Sequence, residues 1–332
     1  MDEIITLDYG SGGKKTSRLI EKMILPALDN PALNELGDGA VIPGSKELCF
    51  STDSFVVDPI FFPGGDIGKL SVCGTVNDVL MCGGRPEYLS CSFIIEEGLP
   101  ISQLERIVDS IRACCEKTGV RVVTGDTKVV EKGRGDKIYI NTAGIGFLEH
   151  PGLSPKNLRP GDKVIVSGTV GDHGTAVMLA RSGMMQGDIR SDCAALCEPV
   201  EALFENNITV RVMRDPTRGG VATTLNEFIE GSALGIELDE KLIPIAPQVQ
   251  SACDMLGLDA MYCANEGKML VVVPENEAQA AVDALRRTDI GKNAAVIGTV
   301  TASYPGKLVI STALGGKRIL QKLTGAQLPR IC

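Results

Sequence analysis

The chain has 332 residues and a net charge of −9, with 33 Lys and Arg against 42 Asp and Glu. That length allows two domains, and the acidic balance argues against nucleic acid and against an anionic membrane as partners. Hydrophobic residues make up 44% with no Trp and only 4% aromatics, so the cores must rest on aliphatic side chains.

The opening "MDEIITLDYG" lacks the basic start and apolar stretch of a secretory leader. No run approaches the roughly 18 apolar residues of a membrane helix. The eleven Cys are scattered and odd in number, which fits reduced thiols in a cytoplasm. After a polar, glycine-containing start, an amphipathic helix is expected over Thr16–Leu28. "KELCFSTDSFVV" reads as a strand interrupted by a polar turn, and "DIGKLSVCGTVNDVLMCGG" as a helix ending at Gly83–Gly84. "PEYLSCSFIIE" has the β-branched and aromatic content of a strand.

"PISQLERIVDSIRACCEKTG" is the clearest helix: Leu104, Ile107, Val108, Ile111 and Cys115 form one stripe. Ser102 with Glu105 suggests a capping box, and Gly119 a stop. "VRVVTGD" and "KIYINTAGIGF" come next as strands, which completes an α+β domain to about His150. The Pro- and Gly-rich "PGLSPKNLRPGD" marks a boundary. Beyond it come the strand "KVIVSG", the turn "TVGDHG" into a helix, the strand-like "ITVRVM", and the turn "RDPTRGG" into a helix reaching about Glu230. "KMLVVV" and "AAVIGTV" read as strands flanking a helix over "NEAQAAVDALRR". The closing "TGAQLPRIC" has no periodicity; extended, such a segment reaches about 30 Å.

Several positions invite chemistry. "GSGGKKT" at Gly10–Thr16 can turn backbone N–H groups toward an anion, but it lacks the P-loop spacing, and a flexible leader before a helix is the simpler reading. Asp38, Asp53, Asn77, Asp78, Asp126 and Asp215 stand at expected turns. Each alone is accounted for as a turn former or cap; as a set, hard oxygen donors without His suit Mg²⁺ with a nucleotide. Lys128 lies two residues beyond Asp126, so in an extended segment both side chains share a face. It is a candidate for holding a phosphate or an oxyanion, or else an exposed strand-end lysine. Glu266, in a turn before "KMLVVV", is either a general base or a solvated loop acid. With only His150 and His173 present, a His-based zinc site and a Ser-His-Asp triad are disfavoured. Cys193 and Cys197 of "CAALC" have no second ligand pair nearby.

In chain order, "GSGG", "STDSFVVDPIFFPGGDIGKL", "GTVNDVLMCGGRPEYLS", "VVTGDTKVV", "NTAGIG", "VSGTVGDHG", "DPTRGGVATTLNEF", "ANEGK" and "PRIC" together resemble the hydrogenase maturation factors of the HypE family. The resemblance implies the two-domain α+β fold of aminoimidazole ribonucleotide synthetase and selenophosphate synthetase, with N-terminal sheets of a homodimer joining in a central barrel. It implies a leader over residues 1–40 with the Gly-rich loop, an ATP-binding domain over 41–150, a second domain over 151–323 and a mobile tail over 324–332. The implied activity is ATP-dependent dehydration of a carbamoyl group on Cys332 to a thiocyanate. The cyanide goes to the iron of [NiFe]-hydrogenase. Implied partners are a HypF-type carbamoyltransferase as donor and a HypC–HypD complex as acceptor.

On this reading Cys332 is the carrier, Glu266 the base and Lys128 the group that stabilises the phosphorylated amide. ATP falls to Gly12, Gly13, Asp53, Asn77, Asp78, Gly125, Asp126 and Thr127, and Mg²⁺ to Asp38, Asp53, Asp78, Asp126 and Asp215. Two alternatives remain open. A synthetase of this fold acting on a free small molecule would want a reactive Cys or selenocysteine in the leader, which has none. A carrier that binds ATP only to set its conformation would not consume ATP when the thiol is loaded.

Overall fold

A computed structural model describes residues 3–11, 14–36, 39–183 and 188–323. The chain divides into two units, one reaching to Glu149 and the other starting at His150, and residues 62–64 belong with the second. In the first unit, α1 (Lys14–Leu19), a π-turn (Ile20–Ile24), α2 (Leu25–Leu28) and α3 (Pro31–Asn34) form the early helical run. Then come β1 (Leu48–Phe55), the two-residue strands β2 (Phe61–Phe62) and β3 (Gly65–Asp66), α4 (Ile67–Met81), β4 (Gly84–Glu96), α5 (Ile101–Thr118), β5 (Arg121–Val130) and β6 (Ile138–Leu148).

The first sheet runs β1-β6-β4-β5. Only β4 and β5 are parallel, and α5 is the crossover that a parallel pair requires. Helix α4 lies on β1, β4 and β6 and against α5. Asp66 caps it, accepting from Gly68 N at 2.8 Å and Lys69 N at 3.0 Å, and also accepts from Ser110 Oγ on α5. The glycines of "NTAGIG" let α4 approach: a Cβ on Gly144 would stand 2.7 Å from Thr75 Cγ2, and one on Gly146 2.3 Å from Val79 Cγ1. The buried hydroxyls of Thr75 and Thr142 meet at 2.6 Å across this interface. The opposite face of the sheet leaves Leu48, Phe50 and Ile94 exposed.

Three expectations change here. β1 is unbroken, because β6 pairs with it at every residue from Leu48 to Phe55 and absorbs the polar stretch into a ladder. No capping box forms on α5. Pro100 holds the extended N-cap and the helix begins at Ile101, so Ser102 is already inside the first turn, where its hydroxyl is not placed to cap. Asp53, Asn77, Asp78 and Asp126 are not in turns but within β1, α4 and β5. The Gly119 stop does form, with φ +76°.

The second unit contains β7 (Lys163–Val166), α6 (Asp172–Ser182), α7 (Cys197–Glu205), β8 (Val212–Arg214), α8 (Gly220–Ile229), β9 (Gly235–Asp239), α9 (Pro247–Leu256), β10 (Leu270–Val273), α10 (Ala278–Arg286), β11 (Ala295–Thr301), β12 (Leu308–Ser311) and β13 (Lys317–Leu320). Its sheet runs β13-β12-β9-β11-β7-β10-β8, antiparallel except for β12 beside β9. Every residue of β10 is buried, because α8 and α10 pack onto the sheet and its two faces are both covered. A separate apolar cluster joins α6 to α9 through Ala176, Leu179, Val249, Ala252 and Cys253. The strand-like "ITVRVM" shortens to Val212–Arg214. Among the described residues of one chain the first sheet is open, with β1 and β5 at its edges, and no barrel closes. No helix among them is long and apolar enough to cross a membrane.

Candidate active site

In the first unit the candidate residues Gly125, Asp126, Thr127 and Lys128 stand on β5. Its pairing with β4 passes from Val122↔Leu89 to Thr124↔Ser90, so Val123 is an extra residue. Such a bulge re-aims the side chains beyond it. Val122 and Val123 both turn inward, and Asp126 and Lys128 emerge together with side chains 59% and 62% exposed. Lys128 Nζ donates to Asp126 Oδ1 at 2.7 Å and Oδ2 at 2.6 Å, and Thr127 N donates to Oδ1 at 2.8 Å. The bond from Lys128, helped by that from Thr127, holds the Asp126 carboxyl below the usual carboxylate range. Gly125 is required here, since a Cβ would stand 2.0 Å from Cys91 O. A cavity of about 300 Å³ opens beside these residues, lined by Ile24, Leu28, Phe93, Gly125, Asp126 and Lys128 among others.

Asp53 and Asp78 lie elsewhere in this unit. Asp78, on α4, accepts from Ser51 Oγ of β1 at 2.6 Å. Asp53 pairs with the buried Thr142, which puts it on the face under α4. Asp126 pairs with Ser92, itself opposite Asn141 and Ser54, which puts it on the other face. Asn77 is buried within α4. Within one copy of the sheet, then, Asp53 and Asp126 do not share a face. Among the described residues no three His, Cys, Asp or Glu side chains converge as a metal-holding group. The donor set still suits Mg²⁺, which takes one or two carboxylates and completes its shell with water and phosphate oxygens. Gly12, Gly13, Asp38 and Cys332 lie outside the described residues.

In the second unit three loops converge on Asn265, which is fully buried. Its Oδ1 accepts from Gly171 N of the "GDHG" loop at 2.8 Å. Its Nδ2 donates to Pro216 O of the "DPTRGG" turn at 3.2 Å and to Cys263 O at 3.0 Å. Gly220, with φ +61°, lies so close that a Cβ would stand 2.6 Å from both Met261 O and Cys263 O. Asp215 opens that turn and is buried, as is Glu266; Glu266 is therefore not a solvated loop acid. Asp192 takes Glu266 N on Oδ1 at 3.1 Å and Gly267 N on Oδ2 at 3.3 Å. Lys268 Nζ lies 3.4 Å from Asp192 Oδ2 and 4.0 Å from Asp172 Oδ2. Burial pushes the Asp172 carboxyl up, against the pull of the Thr169 hydroxyl.

His173 is also buried here, its Nδ1 2.8 Å from Ser191 Oγ and its ring edge-on to Phe62. Burial pulls its pKa down to about 4, so it is neutral at pH 7. Sequence reasoning missed Asn265, Asp172 and Lys268 although they stand inside "VGDHG" and "ANEGK". Asp192, in "RSDCAALC", carried no signal at all.

Residues 36–148 match the N-terminal domain of AIR synthase related proteins, and residues 159–311 the C-terminal domain. This is a two-domain fold of mixed helix and strand. The chain is 45% identical to carbamoyl dehydratase HypE of Azotobacter vinelandii over 99% of its own length and 97% of that protein's. The chain belongs to the HypE family of carbamoyl dehydratases. A crystal structure of the hydrogenase maturation protein HypE in complex with ATP superposes with a TM-score of 0.94 at 48% identity, covering 98% of this chain and 99% of that one. HypE in a crystal structure of a HypE–HypF complex superposes with a TM-score of 0.80 at 45% identity, covering 92% of this chain and 99% of that one.

Proposed function

We propose that this chain carries a carbamoyl group on Cys332 and removes water from it with ATP, making a thiocyanate for [NiFe]-hydrogenase assembly. The observation that carries this reading is the full-length similarity to a HypE crystallised with ATP, joined to the exposed Asp126–Lys128 pair at the mouth of a cavity. The amide oxygen is a poor leaving group. Its attack on the γ-phosphorus of ATP forms a C–O–P linkage, breaks the bond to ADP and releases one N–H proton. Loss of the second N–H proton then expels inorganic phosphate and leaves C≡N on the sulfur. Each nitrogen proton and the oxygen are thereby accounted for.

We assign Lys128 to the developing negative charge on the phosphorylated amide and Glu266 to the second proton. Gly12, Gly13, Asp53, Asn77, Asp78, Gly125, Asp126 and Thr127 are assigned to ATP. Asp38, Asp53, Asp78, Asp126 and Asp215 are the carboxylates from which one or two would hold each Mg²⁺, which when bound neutralises the triphosphate. The similarity to HypE in a HypE–HypF complex supports a HypF-type protein as carbamoyl donor, and a HypC–HypD complex is proposed as cyanide acceptor. The open edge of β1 and the exposed Leu48 and Phe50 beside it support a homodimer in which two first-unit sheets join in a barrel.

Intact-protein mass tests the activity. A gain of one carbamoyl group followed by ATP-dependent loss of one water, both absent in Cys332→Ala, is the expected result. A carbamoyl adduct that ATP never dehydrates would reduce the protein to a carrier.

A further inference from the structure

Glu266 stands on irregular backbone, four residues before β10 begins. No strand ladder or helix fixes its direction, yet a general base acts only within hydrogen-bond reach of its proton. The segment from Asp192 to Ala194 constrains the Glu266 backbone. Both Asp192 oxygens take consecutive N–H groups, those of Glu266 and Gly267, while Ala194 N donates to Glu266 O at 3.3 Å. The Glu266 backbone is thus held at its donor and at its acceptor. Gly267 allows the approach, since a Cβ there would stand 1.9 Å from Asp192 O.

A backbone carbonyl would satisfy such N–H groups without burying a charge. Here a carboxylate is used, its side chain only 1% exposed, and isolated charge is costly at that depth. The charge is matched by the Lys268 ammonium, which Asp172 also faces. Room for the lysine stem comes from Gly168, where a Cβ would stand 2.7 Å from Lys268 Cε. We infer that Asp192, held by Lys268, is a positioning residue for Glu266 in the dehydration step. The inference rests on the reading of Glu266 as the base. A two-point grip on adjacent peptide N–H groups sets the direction in which the Glu266 side chain leaves, and misplacement of a reacting group is enough to lose rate.

The test is a single-turnover measurement of water loss from the carbamoylated full-length chain, with ATP varied, in a double-mutant cycle of Asp192→Asn and Glu266→Gln. Asp192→Asn keeps the Lys268–Asp172 pair and leaves no lone buried charge. It should slow water loss up to about 100-fold with no change in the ATP concentration giving half the maximal rate. On the Glu266→Gln background it should add nothing further. A native rate in Glu266→Gln would sink the base assignment itself. A slow Glu266→Gln beside a native-rate Asp192→Asn would sink the positioning role alone. Equal slowing by Asp192→Asn on both backgrounds would make Asp192 a general support and also overturn the inference. Should Asp192→Asn fold poorly, Asp192→Glu, which keeps the charge facing Lys268 and displaces the carboxylate from the two N–H groups, is read in the same cycle.

Discussion

Asp126–Lys128 in the first unit and Asp192–Lys268 in the second are built from the same two side chains and serve opposite ends. The first pair sits two residues apart on one strand, in solvent on both sides. The second joins residues distant in sequence, with side chains 1% and 9% exposed. Water weakens the exposed attraction and leaves both groups available to a ligand. The buried pair has no such freedom: its value lies in what Asp192 grips, and without Lys268 its carboxylate would be an uncompensated buried charge. An exposed pair can meet a ligand, whereas a buried one can only hold the backbone that it grips.

The largest effect should come from breaking the buried pair. Lys268→Met, which strands Asp192 and Asp172, should lower unfolding stability by about 3–5 kcal/mol, read by urea titration. A loss under 1 kcal/mol would mean that water reaches these carboxylates.

His173 probes the same buried region through pH. Its folded pKa is lowered from 6.5 to about 4, so between those values the unfolded chain binds the proton and the folded chain does not. Its contribution to stability is therefore complete above pH 6.5 and is lost as pH falls toward 4, up to about 3 kcal/mol at roughly 1.4 kcal/mol per unit. His173→Asn should flatten this part of the stability–pH curve relative to the parent; an unchanged slope would reject the assignment. Asp172, raised by burial, acts with the opposite sign and remains in both proteins.

In the first unit, Gly125→Ala should cost about 1–3 kcal/mol, because the new Cβ meets the Cys91 carbonyl, and it should tilt the exposed pair off its strand position. The smallest stability change belongs to Lys128→Ala, within about 1 kcal/mol. On our reading that same change should abolish ATP-dependent water loss from the carbamoylated thiol. Lost stability with retained dehydration would reverse the contrast between the two pairs.

Much of the first region was legible in sequence. Lys128 falls two residues after Asp126, and strand alternation alone sends both side chains to one side, which the 2.6 Å contact bears out. Helix α5 was readable from its apolar stripe and from Gly119. Asp53 reads as a turn residue because a polar stretch such as "FSTDSF" looks like a turn until a neighbouring strand pairs with it, whereas Asp78 lies within the helix α4. The short strands β9, β12 and β13 carried too little pattern to stand out, and sheet pairing alone fixes them.

By itself the sequence determined the local elements with strong periodicity, the α+β mixture, and the motifs that mark the family, since each depends on residues close together in the chain. The tertiary structure decided that Glu266 is buried, that Asn265 joins three loops, that Asp192 holds the Glu266 backbone and that Asp53 and Asp126 face opposite sides of a sheet. Those facts depend on burial, register and long-range hydrogen bonds, which exist only once distant segments have packed.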